Sequence, residues 1–235
     1  MDLLYSFGWV KKHVPGEIQG KNGNIAKIID IFLTDPAKTG DITKYHNNPI
    51  CLITGDGGTL PRDVKIFESW GIPHDLYCVN RSMIFFERQV THWAAVDIEE
   101  ALWFAENVTE KIEPDERIVR HTIGEHTLAF DVYWKMDPNL GEMQRRVLVG
   151  SSGYFAVLTA LHMGYEKIVL AGMPLNFDPH WYDQPGTDGP MWGGMTYSQW
   201  IDFKQQHPYA DKLRSMGEYS AFILGQATKE WVLNG

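Results

Sequence analysis

The sequence predicts an α/β fold: a mostly parallel sheet with helices on both faces, an N-terminal extension and one long loop near the C-terminus. Three observations carry that expectation. From Pro49 onward, short β-branched runs alternate with helix-like segments, the order that a parallel sheet with crossover helices requires. Residues 154–163 are apolar nearly all round, which suits a helix buried against a sheet. Small and polar residues collect at 55–59, 80–82, 97 and 172–176, the expected strand ends, where such sheets take their ligands.

In chain order, residues 1–48 hold a helix candidate at 24–33 in otherwise turn-rich, polar sequence, and read as an extension packed on a main domain of residues 49–235. Ile50–Thr54 is the first strand. Pro61 suits the first turn of the helix that follows, with Val64, Ile66 and Phe67 on its apolar side, and Gly71-Ile72-Pro73 ends it. Residues 76–79 and 90–96 read as the next strands, and a helix over 98–107 takes Asp97 as its N-cap. Residues 117–123 and 127–133 are weaker strand candidates. A strand at 147–150 then leads through Ser151-Ser152-Gly153 into the buried helix, which Gly164 closes in a left-handed cap. A strand at 167–170 follows. Residues 172–195, rich in Pro, Gly, Trp and Asp, are too long for a simple connector, and a helix at 197–206 and a strand at 212–216 come after them.

Composition limits the function classes. With 235 residues, 44% of them hydrophobic, the chain can bury a core without disulfide staples. Its two cysteines, Cys51 and Cys78, make neither a disulfide framework nor a thiolate metal site, so a reducing compartment is expected. No apolar run approaches the roughly 20 residues of a membrane span, and residues 1–14 lack the pattern of a secretory signal, so the expected location is the cytoplasm. The net charge of −9 argues against a broad nucleic-acid-binding surface, though not against a local basic pocket. Trp181, Trp192, Trp200 and Trp231 read either as a substrate-facing wall or as a small satellite core.

Gly55-Asp56-Gly57-Gly58-Thr59 can bring backbone N–H groups close to a phosphate or ribose, and a plain strand-to-helix turn would look the same. No Gly-Lys-Ser/Thr follows, so it is not a P-loop, and Leu60 stands where a dinucleotide fingerprint needs its third glycine. Asp56 would repel a close phosphate, which favours contact with a ribose or base edge. Ser151-Ser152-Gly153 offers hydroxyls and N–H groups at the positive end of a buried helix, for an anion or for plain capping. Asp97 is a helix cap or a polar ligand to substrate. His92 reads as a satisfied strand histidine. His180 lies in the long loop with Asp178, Trp181, Tyr182 and Asp183 nearby, and is the best-placed histidine for general-base work. His121, Glu125 and His126 lack metal-ligand spacing, and no Gly-x-Ser-x-Gly elbow is present.

One segment carries a resemblance. Gly150-Ser151-Ser152-Gly153-Tyr154, continued by Leu161-His162-Met163-Gly164-Tyr165-Glu166-Lys167-Ile168-Val169-Leu170-Ala171-Gly172, resembles the signature of the bacterial sialyltransferase and motility-accessory-factor superfamily. That group also takes in hydroxymethyldihydropterin pyrophosphokinase-like proteins and phage members. Residues 54–60 stand where the family has Gly-Asn-Gly-Pro-Ser-Leu, Cys78-Val79-Asn80-Arg81 where it has a strand ending in a substrate-binding Asn, and residues 92–97 where its third strand ends in Asn or Asp. The resemblance implies a Rossmann-like, metal-independent transferase for a nucleotide-activated donor, such as a sugar linked to cytidine monophosphate, with no cofactor. By position, Gly55, Asp56, Gly57, Asn80, Asp97, Ser152 and Gly153 would line the donor site. Thr59, Ser151 and Asn176, at the same strand and helix ends, complete the candidate set, and His180 is the nearest match to the family's catalytic histidine.

The expected partner is a nucleotide sugar or another nucleotide, with the acceptor unspecified and a homo-oligomer left open. Two alternatives stand beside it. Pyrophosphate or nucleotidyl transfer from a triphosphate would need Mg²⁺ on Asp56 and Asp97, carboxylates where the sialyltransferases have amides. A non-catalytic binding module would keep only the fold.

Overall fold

The computed structural model describes residues 46–87, 90–97, 99–100, 103, 118–123, 132–134, 151–184, 186–187, 189 and 192–234. Seven strands form the sheet: β1 (Ile50–Thr54), β2 (Asp75–Val79), β3 (His92–Ala94), β4 (Val119–Ile123), β5 (Val132–Trp134), β6 (Lys167–Ala171) and β7 (Leu213–Ser215). Their order is β5-β4-β3-β2-β1-β6-β7, and every neighbouring pair is parallel. The chain therefore steps outward from β1 to β5, then returns to the other side of β1 with β6. The order reverses between β1 and β6, which makes the carboxyl ends of those two strands the place to look for a ligand.

Among the described residues, five helices cover the sheet: α1 (Leu60–Glu68), α2 (Ser152–Met163), α3 (Trp192–Gln206), α4 (Glu218–Leu224) and α5 (Lys229–Asn234). β1 is central, and Cys51 to Thr54 are all fully buried, because a strand with helices on both sides has no solvent face. Its side chains alternate between two cores. Cys51 and Ile53 join Phe155, Val157, Trp200 and Phe203 under α2 and α3. Leu52 joins Leu60, Val64 and Phe67 of α1 and Val232 of α5 on the opposite face. All of α2 is buried except His162, as its unpatterned apolarity predicts. Ser151 Oγ accepts the Tyr154 N–H at its start, and Gly164 ends it at φ 96°. Pro61 sits in the first turn of α1, as expected.

The strand at 90–96 shortens to three residues and Asp75 adds itself to β2, while β5 covers the end of the strand expected at 127–133, whose residues 127–131 lie outside the described residues. α3 begins at Trp192, ahead of the expected 197, and so takes the end of the long loop. Gly193 and Gly194 are poor helix formers, which is why the pattern places the start later. The helix expected at 24–33, the strand at 147–150, most of the helix at 98–107 and residues 1–45 of the extension lie outside the described residues. Among the described residues, no helix is long and apolar enough to cross a membrane.

Candidate functional site

At the reversal point the two strand ends continue to pair. Gly55 N–H donates to Ala171 O and Gly57 N–H to Gly172 O, at 2.9 and 2.8 Å. These glycines are required by that closeness. A Cβ on Gly55 would stand 2.7 Å from Met173 Cγ, one on Gly153 2.9 Å from Met173 Sδ, and one on Gly57 would overlap Pro174. The open cradle expected around Gly55, Gly57 and Gly153 is thus filled by Met173 and Pro174. Ser152 is buried, and its Oγ accepts the Val96 N–H at 3.3 Å, tying the end of β3 to α2. The phosphate seat expected against Ser152 is thus covered by Met173 in this structure, and Ser151 acts as the helix cap.

The accessible space lies on the other side of the glycine loop. An open groove of about 430 Å³ runs between Gly58, Thr59 and Arg62 at the start of α1 and the segment Asp178-Pro179-His180-Trp181, with Glu218 at its edge. His180 forms an isolated β-bridge with Gly57, and Trp181 N–H donates to Asp56 O, so the long loop folds back onto the end of β1. Asn176 shapes the approach by closing on Asp178 in a two-residue turn. Asp183 then fixes the histidine. Its Oδ2 accepts both the His180 backbone N–H and ring Nδ1–H, each at 2.9 Å, and these bonds hold the Asp183 carboxyl below its ordinary value. With the proton on Nδ1, the tautomer assigned from this bond leaves Nε2 as an acceptor. Tyr182 stacks on the ring at 5.1 Å between centroids.

The floor of the groove is tied down by Asp63, whose carboxylate is buried. It accepts Thr59 Oγ1–H, Gly172 N–H and the Arg62 guanidinium, joining α1 to the end of β6. Arg62 remains half exposed and also reaches Glu218 at 3.4 Å. Among the described residues, the N–H groups of Gly58, Thr59 and Arg62 take no partner, so the positive end of α1 is open to the groove.

Beside it, at the ends of β1 and β2, lie Asp56 and Asn80. Asn80 opens a 3₁₀ turn (Asn80–Phe85) at φ 51°, a conformation that Asn tolerates better than most residues. Among the described residues, the Oδ1 atoms of both Asp56 and Asn80 are buried without a partner. Burial pushes the Asp56 carboxyl up to about 7. Glu100 adds to the rise, while the N–H and guanidinium of Arg81 oppose it. Arg81 is itself held by Glu100 at 3.2 Å and lies over the rings of Trp103 and Tyr182.

No family model matches the chain, and neither does any curated protein or solved structure. The functional argument rests on the residues.

The structure brings Thr59, His180 and the Asp56–Asn80 pair to one end of the sheet. Gly55, Gly57, Ser151, Ser152 and Gly153 serve packing and capping. Asp97 is exposed beyond β3, and no partner of its side chain is present among the described residues. Of the two carboxylates that the Mg²⁺ alternative would use, Asp56 is buried with Arg81 beside it and Asp97 is exposed beyond β3. Among the described residues no three acidic, histidine or thiol side chains converge. Arg62 and Asp63 were not among the residues expected at the site. A signal was present, since a cation in a helix's first turn opposes the dipole and asks for a reason.

Proposed function

We propose that the protein transfers a group, in the leading case a sugar, from a nucleotide-activated donor to an acceptor hydroxyl. The donor phosphate lies over the start of α1, and His180 is the general base. The observation that supports this most is the His180–Asp183 pair on the wall of the groove, with Nδ1–H committed to Asp183 and Nε2 left as acceptor. The resemblance to nucleotide-sugar transferases points the same way.

In this reading Nε2 takes the proton of the acceptor hydroxyl as its oxygen bonds to the anomeric carbon. The bond from that carbon to the phosphate oxygen breaks, and the electron pair leaves with the nucleotide. The unpartnered N–H groups of Gly58, Thr59 and Arg62 meet the negative charge that develops there, and Arg62 keeps guanidinium N–H directions unused by Asp63 and Glu218.

The test is a titration of the full chain with nucleoside mono- and diphosphates and their sugar conjugates, read as a rise in melting temperature, followed by nucleotide release from any conjugate that binds. Saturable binding that Arg62→Gln weakens about tenfold supports the assignment. If no nucleotide binds, the chain is a non-catalytic module, and binding of triphosphates alone, dependent on Mg²⁺, would favour pyrophosphate transfer.

A further inference from the structure

Away from the groove, five polar side chains cross the core beneath α2 in one unbroken chain. Trp134 Nε1–H donates to His121 Nδ1 at 3.2 Å, and His121 Nε2 meets His92 Nδ1 at 3.1 Å. His92 Nε2 meets Tyr165 Oη at 2.9 Å, and the Tyr165 hydroxyl donates to Asp75 Oδ2 at 2.8 Å. The links come from β5, β4, β3, the turn before β6, and β2. Both histidines are fully buried.

The ends fix the direction. An indole N–H only donates, so His121 Nδ1 must accept and its proton sits on Nε2. That proton fills His92 Nδ1, so His92 in turn carries its own on Nε2. At the far end Asp75 only accepts: it takes the Tyr165 hydroxyl, the N–H groups of Asn47 and Asn48, and the Asn48 amide. A proton added to His92 Nδ1 meets the His121 Nε2–H between β3 and β4, and one added to His121 Nδ1 meets the Trp134 Nε1–H between β4 and β5; neither has an acceptor to point at.

We infer that the contact between the His92 and His121 rings is an acid-sensitive seam, and that a proton on His92 releases the β4–β5 edge from the rest of the sheet. The surroundings offer that proton no new partner. Tyr77 and Asp75 face the pair from β2, the Cys51 thiol lies near Tyr77 and Tyr165 on β1, and Thr159 of α2 is bonded to Tyr77. His162 of α2 packs on Trp134, and His46 precedes β1 beside Tyr165. Asp75 is the one carboxylate among these groups, and four donors already occupy it. Desolvation holds His92 down at about 4 and His121 well below its usual value, the direction this crowding requires.

Two readouts on the full chain test the seam. With ¹⁵N-labelled histidine at pH 7.5, both rings should show the Nε2–H tautomer; an Nδ1–H form of either overturns the relay. Amide exchange followed from pH 7.5 to pH 5, corrected for the intrinsic rate, should rise about tenfold in residues 119–123 and 132–134 before it rises in 50–54 and 167–171. Simultaneous loss of protection across all four segments overturns the seam. Trp134→Phe removes the donor that fixes the direction, so His121 can turn its proton to Nδ1 and accept one from a charged His92. Release should then move about one pH unit lower, against the general destabilisation that the substitution brings. A move to higher pH contradicts the relay. If this variant does not fold, the native tautomers and order of exchange still decide.

Discussion

His180 has one ring nitrogen committed and one free, and that asymmetry sets what substitutions around it should do. His180→Asn removes the base while keeping a polar side chain of similar reach. Turnover of a bound donor should fall by ~10²–10⁴-fold with binding nearly unchanged, as single-turnover and equilibrium measurements would show. Asp183→Asn keeps an oxygen for Nδ1–H but removes the charge that stabilises the protonated ring, so turnover should fall by roughly tenfold or more with little change in melting temperature. Asp63 belongs to stability instead. Asp63→Ala leaves Gly172 N–H and the Thr59 hydroxyl without their buried acceptor and should cost about 3 kcal/mol in urea unfolding. His180 was legible from sequence because a histidine among acids and aromatics in an overlong loop is conspicuous. Arg62 showed only as a cation in a helix's first turn; its place beside the groove was not legible, because Glu218 lies 156 positions away and only the fold brings them together.

Among the elements, the pieces with the strongest local pattern were the most legible. α2 announced itself by its apolarity and by the serine and glycine at its ends, and the structure keeps those bounds within two residues. The glycine loop was legible as a close approach but not as to what approaches. A phosphate and a neighbouring loop make the same demand for a missing Cβ, and here the segment after β6 supplies Met173 and Pro174. Gly172 tests this reading, with φ 65° and a Cβ that would fall 2.5 Å from Gly55 O and 2.8 Å from Leu60 Cβ. Gly172→Ala should therefore cost ~2–3 kcal/mol, whereas Gly164→Ala, at φ 96° in open space, should cost only about 1 kcal/mol. Equal losses in denaturant unfolding would mean that the two loops are not packed as described.

For the whole molecule, buried histidines decide the response to acid. Desolvation lowers His92 to about 4, His207 to about 3, and His121 and His162 below the ordinary 6.5. Between those values and 6.5 the unfolded chain binds more protons than the folded one, so each such histidine contributes stability that is complete above 6.5 and is lost as pH falls, by up to ~1.4 kcal/mol per pH unit. Asp56 works in the opposite sense. Raised from 3.8 to about 7, it holds a proton in the folded state that the unfolded chain has released, so it favours folding at low pH and offsets about one histidine. The urea midpoint should thus fall from pH 7 to pH 5; a flat profile would place these rings in water. The parallel sheet was legible from strand–helix alternation, but not its order, since nothing local tells the chain to return past β1. That return puts the groove where a ligand can reach His180. A crystal structure of the chain with a nucleoside diphosphate tests this most directly. The account predicts phosphate oxygens on the Gly58 and Thr59 N–H groups within reach of Arg62, with His180 beside them. A nucleotide seated against Ser152 and Gly153 with Met173 displaced, or none bound at saturating concentration, would contradict it.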